Sequence, residues 1–205
     1  TQMQNMKVRK TIQTITYAPH FISIVVVVGM LNIFLSPRSG IVNTIVTALG
    51  GEAHNFMGDG GWFKHLYVIS DVWQSLGWSS IIYVAALSAV SPELYEAASM
   101  DGANRFQKMI YITLPALNNT IVTVLVLNLA KVMNLFESVF VLQNDAVIKV
   151  SDVLQTYIYT QTFNSGAIPD YGYTTAVGMF SSIISCILVL VCNRVSHKTR
   201  GRGIV

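Results

Sequence analysis

Residues 95–103 read Tyr95-Glu96-Ala97-Ala98-Ser99-Met100-Asp101-Gly102-Ala103, and Leu114-Pro115 follow at the end of the same segment. This short polar stretch lies between two long apolar stretches, each of a length typical of a membrane span. We therefore expect residues 91–115 to form a helix-turn-helix that lies at a membrane surface.

The first of these two helices has recognisable start signals. Ser91 is a favourable N-cap, Pro92 suits the first helical position, and Glu93 faces the positive end of the helix dipole. Ala97 and Ala98 follow on a surface with small side chains, which another protein can approach closely. The pattern predicts a short helix with a docking face.

The turn between the two helices depends on glycine. Gly102 readily adopts the positive φ that ends many helices. Asp101 is predicted to cap the second helix, over residues 103–112. Pro115 is predicted to end that helix before the membrane begins, because proline lacks the amide hydrogen that a helix interior needs.

The same residues resemble a known family. The pattern E-A-A, three residues, G, nine residues, I-x-L-P is similar to the cytoplasmic signature of ABC-importer permeases. The fuller motif over residues 95–103, with Phe106 following, resembles the carbohydrate branch, and residues 17–23 and 152–159 resemble its complex-oligosaccharide, aldouronate-type permeases. The resemblance implies an all-α polytopic membrane protein with the type I ABC importer transmembrane-domain fold. An ordinary amphipathic loop helix is the alternative. The positions that would couple to an ATPase subunit are Glu96, Ala97, Ala98, Asp101, Gly102, Ala103, Leu114 and Pro115.

The resemblance also implies partners. It predicts a second permease subunit in a heterodimer, two ATPase subunits that carry ATP and Mg²⁺, and an extracytoplasmic sugar-binding protein or lipoprotein. This chain would hold no cofactor of its own and would translocate a carbohydrate, an oligosaccharide, by alternating access. Glu96 and Asp101 would make the polar contacts to the ATPase.

Composition supports a membrane protein. Of 205 residues, 52% are hydrophobic and only 11% are charged, whereas soluble domains carry about 25% charged residues. The net charge of +3 is too small to indicate nucleic acid binding. Cys186 and Cys192 lie in one apolar segment and are interpreted as small packing residues, not as a disulfide.

Four spans are predicted, at residues 17–35, 68–90, 117–142 and 172–193, in a single transmembrane domain over residues 1–205. Members of the family usually have six spans, so the first two are expected to be missing from this sequence. The protein is expected in a bacterial cytoplasmic membrane, with residues 91–115 and the C-terminus on the cytoplasmic side. Most basic residues are then cytoplasmic, as the positive-inside rule requires. These residues are Lys7, Arg9, Lys10, Arg105, Lys108, Arg194, Lys198, Arg200 and Arg202.

The third predicted span carries a polar row at spacings of three. Asn128, Lys131, Asn134 and Glu137 are candidates for a substrate pathway, since a charge deep in a membrane is costly unless it faces water or a partner. Polar contacts between helices are the equally weighted alternative. In the family a small residue is expected where Lys131 stands. Tyrosines at 157, 159, 171 and 173 could stack on sugar rings or belong to an aromatic belt.

No catalytic pattern emerges from the sequence. The four histidines lack metal-ligand spacing, and no P-loop motif is present. The leading hypothesis is a transport subunit and not an enzyme. An ATP-independent channel or secondary carrier, an intramembrane enzyme, and an importer for a non-sugar solute are the rivals. An uncommon oligosaccharide, either one that contains uronic acid or one from a host glycan, fits the branch resemblance, and Lys131 could then pair with a substrate carboxylate.

Overall fold

The structure is a computed structural model that describes residues 6–164 and 170–200, with side chains described for residues 7–8, 10–164 and 170–194. Over those ranges the regular structure is helical. A 3-10 helix covers Ala18–Phe21 and a π turn covers Met109–Thr113. The α-helices are α1 (Met6–Tyr17), α2 (Ile24–Phe34), α3 (Ile41–Ala48), α4 (Gly60–Ser88), α5 (Pro92–Met100), α6 (Arg105–Lys108), α7 (Leu114–Val132), α8 (Glu137–Leu142), α9 (Ile148–Ser151), α10 (Leu154–Phe163) and α11 (Tyr171–Arg200).

Two uninterrupted helices in the described part of the chain are long and apolar enough to cross a membrane. They cover Arg105–Val132 and Tyr171–Arg194. Two further candidates consist of helix pairs with a sharp bend, and counting each pair as one span brings the total to four. The described part of the chain therefore has two to four candidate spans, and the four predicted from the sequence are the upper end of that range.

The first predicted span, residues 17–35, is broken and not a straight helix. Pro19 lies in the 3-10 helix, Ser23 is extended, and α2 has only 11 residues, about 16 Å at 1.5 Å per residue. The break exposes the carbonyl of Ile22, and the amide of Gln74 on α4 donates to it at 2.5 Å. A backbone group freed inside a membrane protein needs such a partner.

The third predicted span has different bounds at both ends. Pro115 does not end the preceding helix, because the π turn lengthens the hydrogen-bond register and the amide of Leu114 donates to the carbonyl of Met109, five residues back. A proline one position later then fits without breaking the helix. The span runs continuously over Arg105–Val132 and stops ten residues before the predicted end at Leu142.

The chain divides into two units, and the division passes through α4 and α11. One unit contains residues 1–16, 76–132 and 185–205. Within it, Gly77 of α4 is buried against the backbone of Thr16 in α1, where an added Cβ would collide with the Thr16 carbonyl. This contact is close enough to require glycine.

The other unit contains residues 17–75 and 133–184. Its core is formed by buried aliphatic and aromatic side chains from α2, α4, α8 and the segment before α9. They are Ile24, Val27, Val28, Leu35, Phe63, Leu66, Val139, Leu142 and Val147. This cluster holds the short helices α2 and α8 in place, since neither is long enough to be stable alone.

The segment between α2 and α4 is tied down by a buried amide. Asn43, which is 2% exposed, donates to the carbonyls of Leu35, Ser36 and His54 at 3.0–3.1 Å and accepts from the amide of His54 at 2.8 Å. Beside it, Asp59 accepts from Gly61 N and contacts His54 Nε2, each at 2.8 Å. Hydrogen bonding from Gly61, and then from His54, lowers the pKa of Asp59 below its usual value of 3.8.

Candidate coupling elbow

Residues 91–115, which we name the coupling elbow, begin with α5 as the sequence predicts. Ser91 occupies the N-cap position and its hydroxyl accepts from the amide of Glu93 at 3.3 Å, while Pro92 stands at the first helical position. Residues 89–91 separate α5 from α4, and the two helices are bent by 71° relative to each other. The capped start therefore determines where the chain turns away from the span.

The end of α5 explains why the motif needs glycine four residues after its second alanine. Gly102 has φ +78°, and its amide donates to the carbonyl of Ser99 at 3.1 Å. The amide of Ala103 donates to the carbonyl of Ala98 at 2.9 Å. These two bonds form a Schellman motif, in which the residue after the cap is left-handed. Ala98 and Gly102 are thus two parts of one hydrogen-bonded turn.

The second helix is capped by Asn104 and not by Asp101. The side chain of Asn104 accepts from the amide of Gln107 at 2.9 Å, and Gln107 accepts in return from the amide of Asn104 at 2.8 Å. Asp101 instead occupies the C-cap position of α5. The Schellman turn consumes residues 101–103, so the next free capping position is 104. The N-x-x-Q spacing is a capping-box signal that was readable from the sequence.

Two side-chain hydrogen bonds brace the elbow from within. The Tyr95 hydroxyl lies 3.1 Å from that of Thr113 in the π turn. The ammonium of Lys108 donates to the hydroxyl of Ser99 at 2.5 Å. These bonds join α5 to the helix that continues into the membrane. Sequence reasoning missed both, because no local pattern pairs residues nine or eighteen positions apart.

The outer surface of the elbow is open. Glu96, Ala97, Asp101 and Gly102 are exposed, as are Leu114 and Pro115, whereas Ala98 and Ala103 are half-buried under the turn. Two large apolar side chains share this exposure, Met100 at 89% and Phe106 at 65%. Apolar groups so exposed beside a polar rim commonly mark a protein interface.

The candidate substrate residues do not lie on one helix. Asn128 and Lys131 are exposed on α7, Asn134 follows the end of that helix, and Glu137 begins α8. The prediction assumed one helix through residue 142, on which residues three positions apart are neighbours. Because α7 ends at Val132, this spacing does not make Asn134 and Glu137 neighbours of Lys131 on one helix. The pathway assignment itself stays a prediction.

The break after α7 is structured. Gln155 of α10 donates to the carbonyl of Met133 and to the side-chain oxygen of Asn134, each at 3.3 Å. Next to it, Phe136 stacks on Phe140 at 5.0 Å between ring centroids, and Tyr159 packs on Phe140 at 4.7 Å. The break thus carries a polar side chain and an aromatic cluster side by side.

The predicted tyrosine group is divided. The hydroxyls of Tyr157 and Tyr173 lie 3.2 Å apart, whereas Tyr159 belongs to the phenylalanine cluster and contacts Phe163 at 5.3 Å. Tyr171 is exposed at the start of α11. Within the residues that the structure describes, no group of three or more His, Cys, Asp or Glu side chains has an arrangement that could hold a metal ion.

The sequence of this chain is similar to those of known transport permeases. A polygalacturonan/rhamnogalacturonan transport system permease protein, YteP of Bacillus subtilis (strain 168), is 41% identical over 197 residues, which are 96% of this chain and 60% of that protein. This chain therefore spans about 60% of the length of that curated relative. Protein LplB of the same organism is 39% identical over 197 residues, 96% of this chain and 61% of LplB.

A solved structure agrees in fold. The crystal structure of a bacterial ABC transporter involved in the import of the acidic polysaccharide alginate superposes with a TM-score of 0.92 and 36% identity, over 97% of this chain and 69% of that chain. The fold and the elbow thus define an all-α polytopic membrane protein with the type I ABC importer permease fold. The family described as binding-protein-dependent transport system inner membrane component matches residues 2–201, and the chain belongs to it. It is a family of permease subunits and not of enzymes.

Proposed function

We propose that this chain is the permease subunit of an ATP-driven importer that carries an acidic oligosaccharide or polysaccharide across the bacterial cytoplasmic membrane. One observation carries the proposal: the signature residues of the elbow form a single braced, hydrogen-bonded unit with an open outer face, in a chain of this family. The related permease is named for polygalacturonan and rhamnogalacturonan, and the solved structure for alginate. All three carbohydrates carry carboxylates.

The elbow is suited to transmit force. The helix that starts at Arg105 continues without interruption to Val132, and the Tyr95–Thr113 and Lys108–Ser99 bonds tie α5 to its first turns. A displacement of α5 therefore moves the start of the following span with it. On this proposal, closure of two ATPase subunits, which bind ATP and Mg²⁺, moves the elbow and exchanges inward for outward access.

Contact with the ATPase is assigned to the exposed face of the elbow. Glu96 and Asp101 supply the negative charges, Met100 and Phe106 supply apolar area, and Gly102 shapes the turn. Aromatic and methionine side chains are enriched in the cores of protein interfaces. We assign this face to the cytoplasm, and the C-terminus, which lies outside the described residues, stays a prediction for the same side.

Substrate contact is assigned separately to residues of the two units, with Asn128 and Lys131 in one and Asn134 and Glu137 in the other. Lys131 is exposed on α7 and would pair with a substrate carboxylate, since a lysine at membrane depth needs a partner or water. Asn128, Asn134 and Glu137 would hydrogen-bond to sugar hydroxyls. The ring faces of Phe136, Phe140, Tyr159 and Phe163 would stack on the apolar C–H surfaces of sugar rings.

The family description names a binding protein, which supports the assignment of an extracytoplasmic partner. A related solved structure is titled as a complex with an alginate pentasaccharide-bound periplasmic protein, with a TM-score of 0.93 and 36% identity over 99% of this chain and 70% of that chain. We assign to this chain a second permease subunit in a heterodimer and an extracytoplasmic sugar-binding protein or lipoprotein.

Co-purification tests the ATPase contact. The full-length permease is expressed with its partner subunits, and the amount of ATPase retained is compared for Met100→Asp and Leu49→Asp. Both residues are apolar and almost fully exposed, at 89% and 83%, but only Met100 lies on the elbow. Loss of the ATPase in Met100→Asp alone supports the proposal, whereas retention in both variants contradicts it.

Uptake assays in vesicles test the substrate. Lys131→Gln is expected to reduce uptake of an oligogalacturonide about tenfold, which corresponds to loss of one charge-assisted hydrogen bond, and to leave a neutral oligosaccharide unaffected. Uptake without ATP would favour the carrier hypothesis. Broken helices occur in carriers. They do not by themselves favour that rival, because this chain contains bent helix pairs and belongs to the ABC-importer family.

A further inference from the structure

The inner side of the elbow contains a half-open cavity of about 530 Å³. Leu87 and Ser88 line it from the last turn of α4, and Met109 and Thr113 from the π turn at the start of the Arg105–Val132 span. The cavity therefore lies where two candidate membrane spans end. Nothing in the proposed ATPase contact uses it, because that contact involves the outer face.

The cavity is cationic and lacks a compensating acid. Arg105 and Lys108 line it, and no carboxylate in the part of the chain with described side chains lies within 4.0 Å of either. The ammonium of Lys108 has one hydrogen bond, to Ser99, and an ammonium can donate three. The guanidinium of Arg105 presents five donors and suits the oxygens of a phosphate.

The remaining lining distinguishes between types of anion. Leu87 and Met109 add apolar surface to the lining that contains the two cations. The hydroxyls of Ser88, Tyr95 and Thr113 are already in hydrogen bonds within the chain, because Ser88 donates to the carbonyl of Val84 at 2.9 Å and those of Tyr95 and Thr113 lie 3.1 Å apart. A free inorganic anion would use the cations and leave the apolar surface bare. A phosphodiester attached to glycerol and acyl chains would use both.

The surroundings also match a membrane surface. Tyr111, next to the cavity in sequence, is 76% exposed, and tyrosine side chains are enriched at the boundary between lipid and water. Basic pockets between spans on the cytoplasmic side are known to bind acidic headgroups. We propose that the elbow cavity binds the headgroup of an anionic phospholipid, which places a lipid sensor at the joint that transmits ATPase closure.

Photocrosslinking tests this proposal. The full-length permease with its co-expressed partner subunits is placed in phosphatidylcholine nanodiscs that contain a photoactivatable phosphatidylglycerol, and labelled peptides are located by mass spectrometry. Label within residues 87–113 is expected. Arg105→Gln with Lys108→Gln should weaken binding about 30-fold, since each basic side chain near an anionic surface contributes roughly fivefold. Arg105→Lys with Lys108→Arg keeps both charges and should keep the label.

A matched control separates the cavity from general surface charge. Lys10→Gln with Arg194→Gln removes one lysine and one arginine from the face that is predicted to be cytoplasmic, and should leave the label unchanged. Equal loss in this control would overturn the proposal. Displacement of the lipid by inorganic phosphate at constant ionic strength would identify a soluble-anion site instead. Label that appears only after the ATPase is removed would identify a protein contact.

Discussion

Replacing Gly102 with valine isolates the turn of the elbow. Gly102 has φ +78°, and a Cβ built on it meets no heavy atom within 4 Å. The substitution therefore introduces no collision, and its cost comes from the backbone conformation alone. Left-handed φ costs a non-glycine residue roughly 1–2 kcal/mol, and a β-branched residue lies at or beyond the upper end of that range.

That cost acts on two hydrogen bonds. If φ at residue 102 returns to negative values, the amides of Gly102 and Ala103 lose their Schellman partners, Ser99 and Ala98. A penalty of about 2 kcal/mol lowers the population of the native turn about 30-fold relative to its alternatives. Gly102→Asn should behave nearly as wild type, since asparagine visits the left-handed region more readily than other residues.

The assay compares coupling with insertion. Membrane insertion is measured by immunoblot, and coupling by ATPase retention and substrate uptake. Gly50→Val is the matched control, because Gly50 has φ +87° and also has nothing within 4 Å of an added Cβ, but lies outside the elbow. Gly102→Val should insert normally and lose coupling, while Gly50→Val should keep it. Normal uptake in Gly102→Val, or equal loss in both variants, would refute the reasoning.

Three further perturbations test other parts of the fold. Gly77→Val should reduce the yield of folded protein, because an added Cβ would collide with the carbonyl of Thr16. Gly178→Val is the control and should not reduce it, because an added Cβ there meets nothing within 4 Å. Equal yields in size-exclusion profiles would contradict this. Asn43→Ala leaves buried carbonyls without donors and should cost about 1–3 kcal/mol, measured as a lower thermal midpoint. Because its folded-state pKa is lowered, Asp59 should stabilise its turn at neutral pH and lose that effect as pH falls below about 4. The protection factor of the Gly61 amide, which compares its exchange rate with that of an unstructured amide at the same pH, is expected to fall over that window in wild type but not in Asp59→Asn, and parallel profiles would count against it.

The elbow could be predicted largely from sequence because its interactions are local. The Ser91 cap, the first-position proline and the Gly102 turn each depend on residues within five positions of one another. The prediction that Asp101 caps the second helix was wrong for a local reason as well. The turn after α5 includes Ala103, one residue beyond Gly102, so the second helix begins later than predicted. Asn104 and Gln107 carried the correct signal three residues apart.

By itself the sequence determined the membrane class and the start and turn of the first helix of the elbow, because composition and contiguous hydrogen-bond patterns decide these properties. Only the tertiary structure decided where the spans break. The carbonyls freed at Ile22 and Met133 are satisfied by Gln74 and Gln155, which lie 52 and 22 residues away along the chain. A helix that ends inside an apolar stretch leaves backbone groups that need a partner. Here each partner is a distant glutamine, and no local pattern records it.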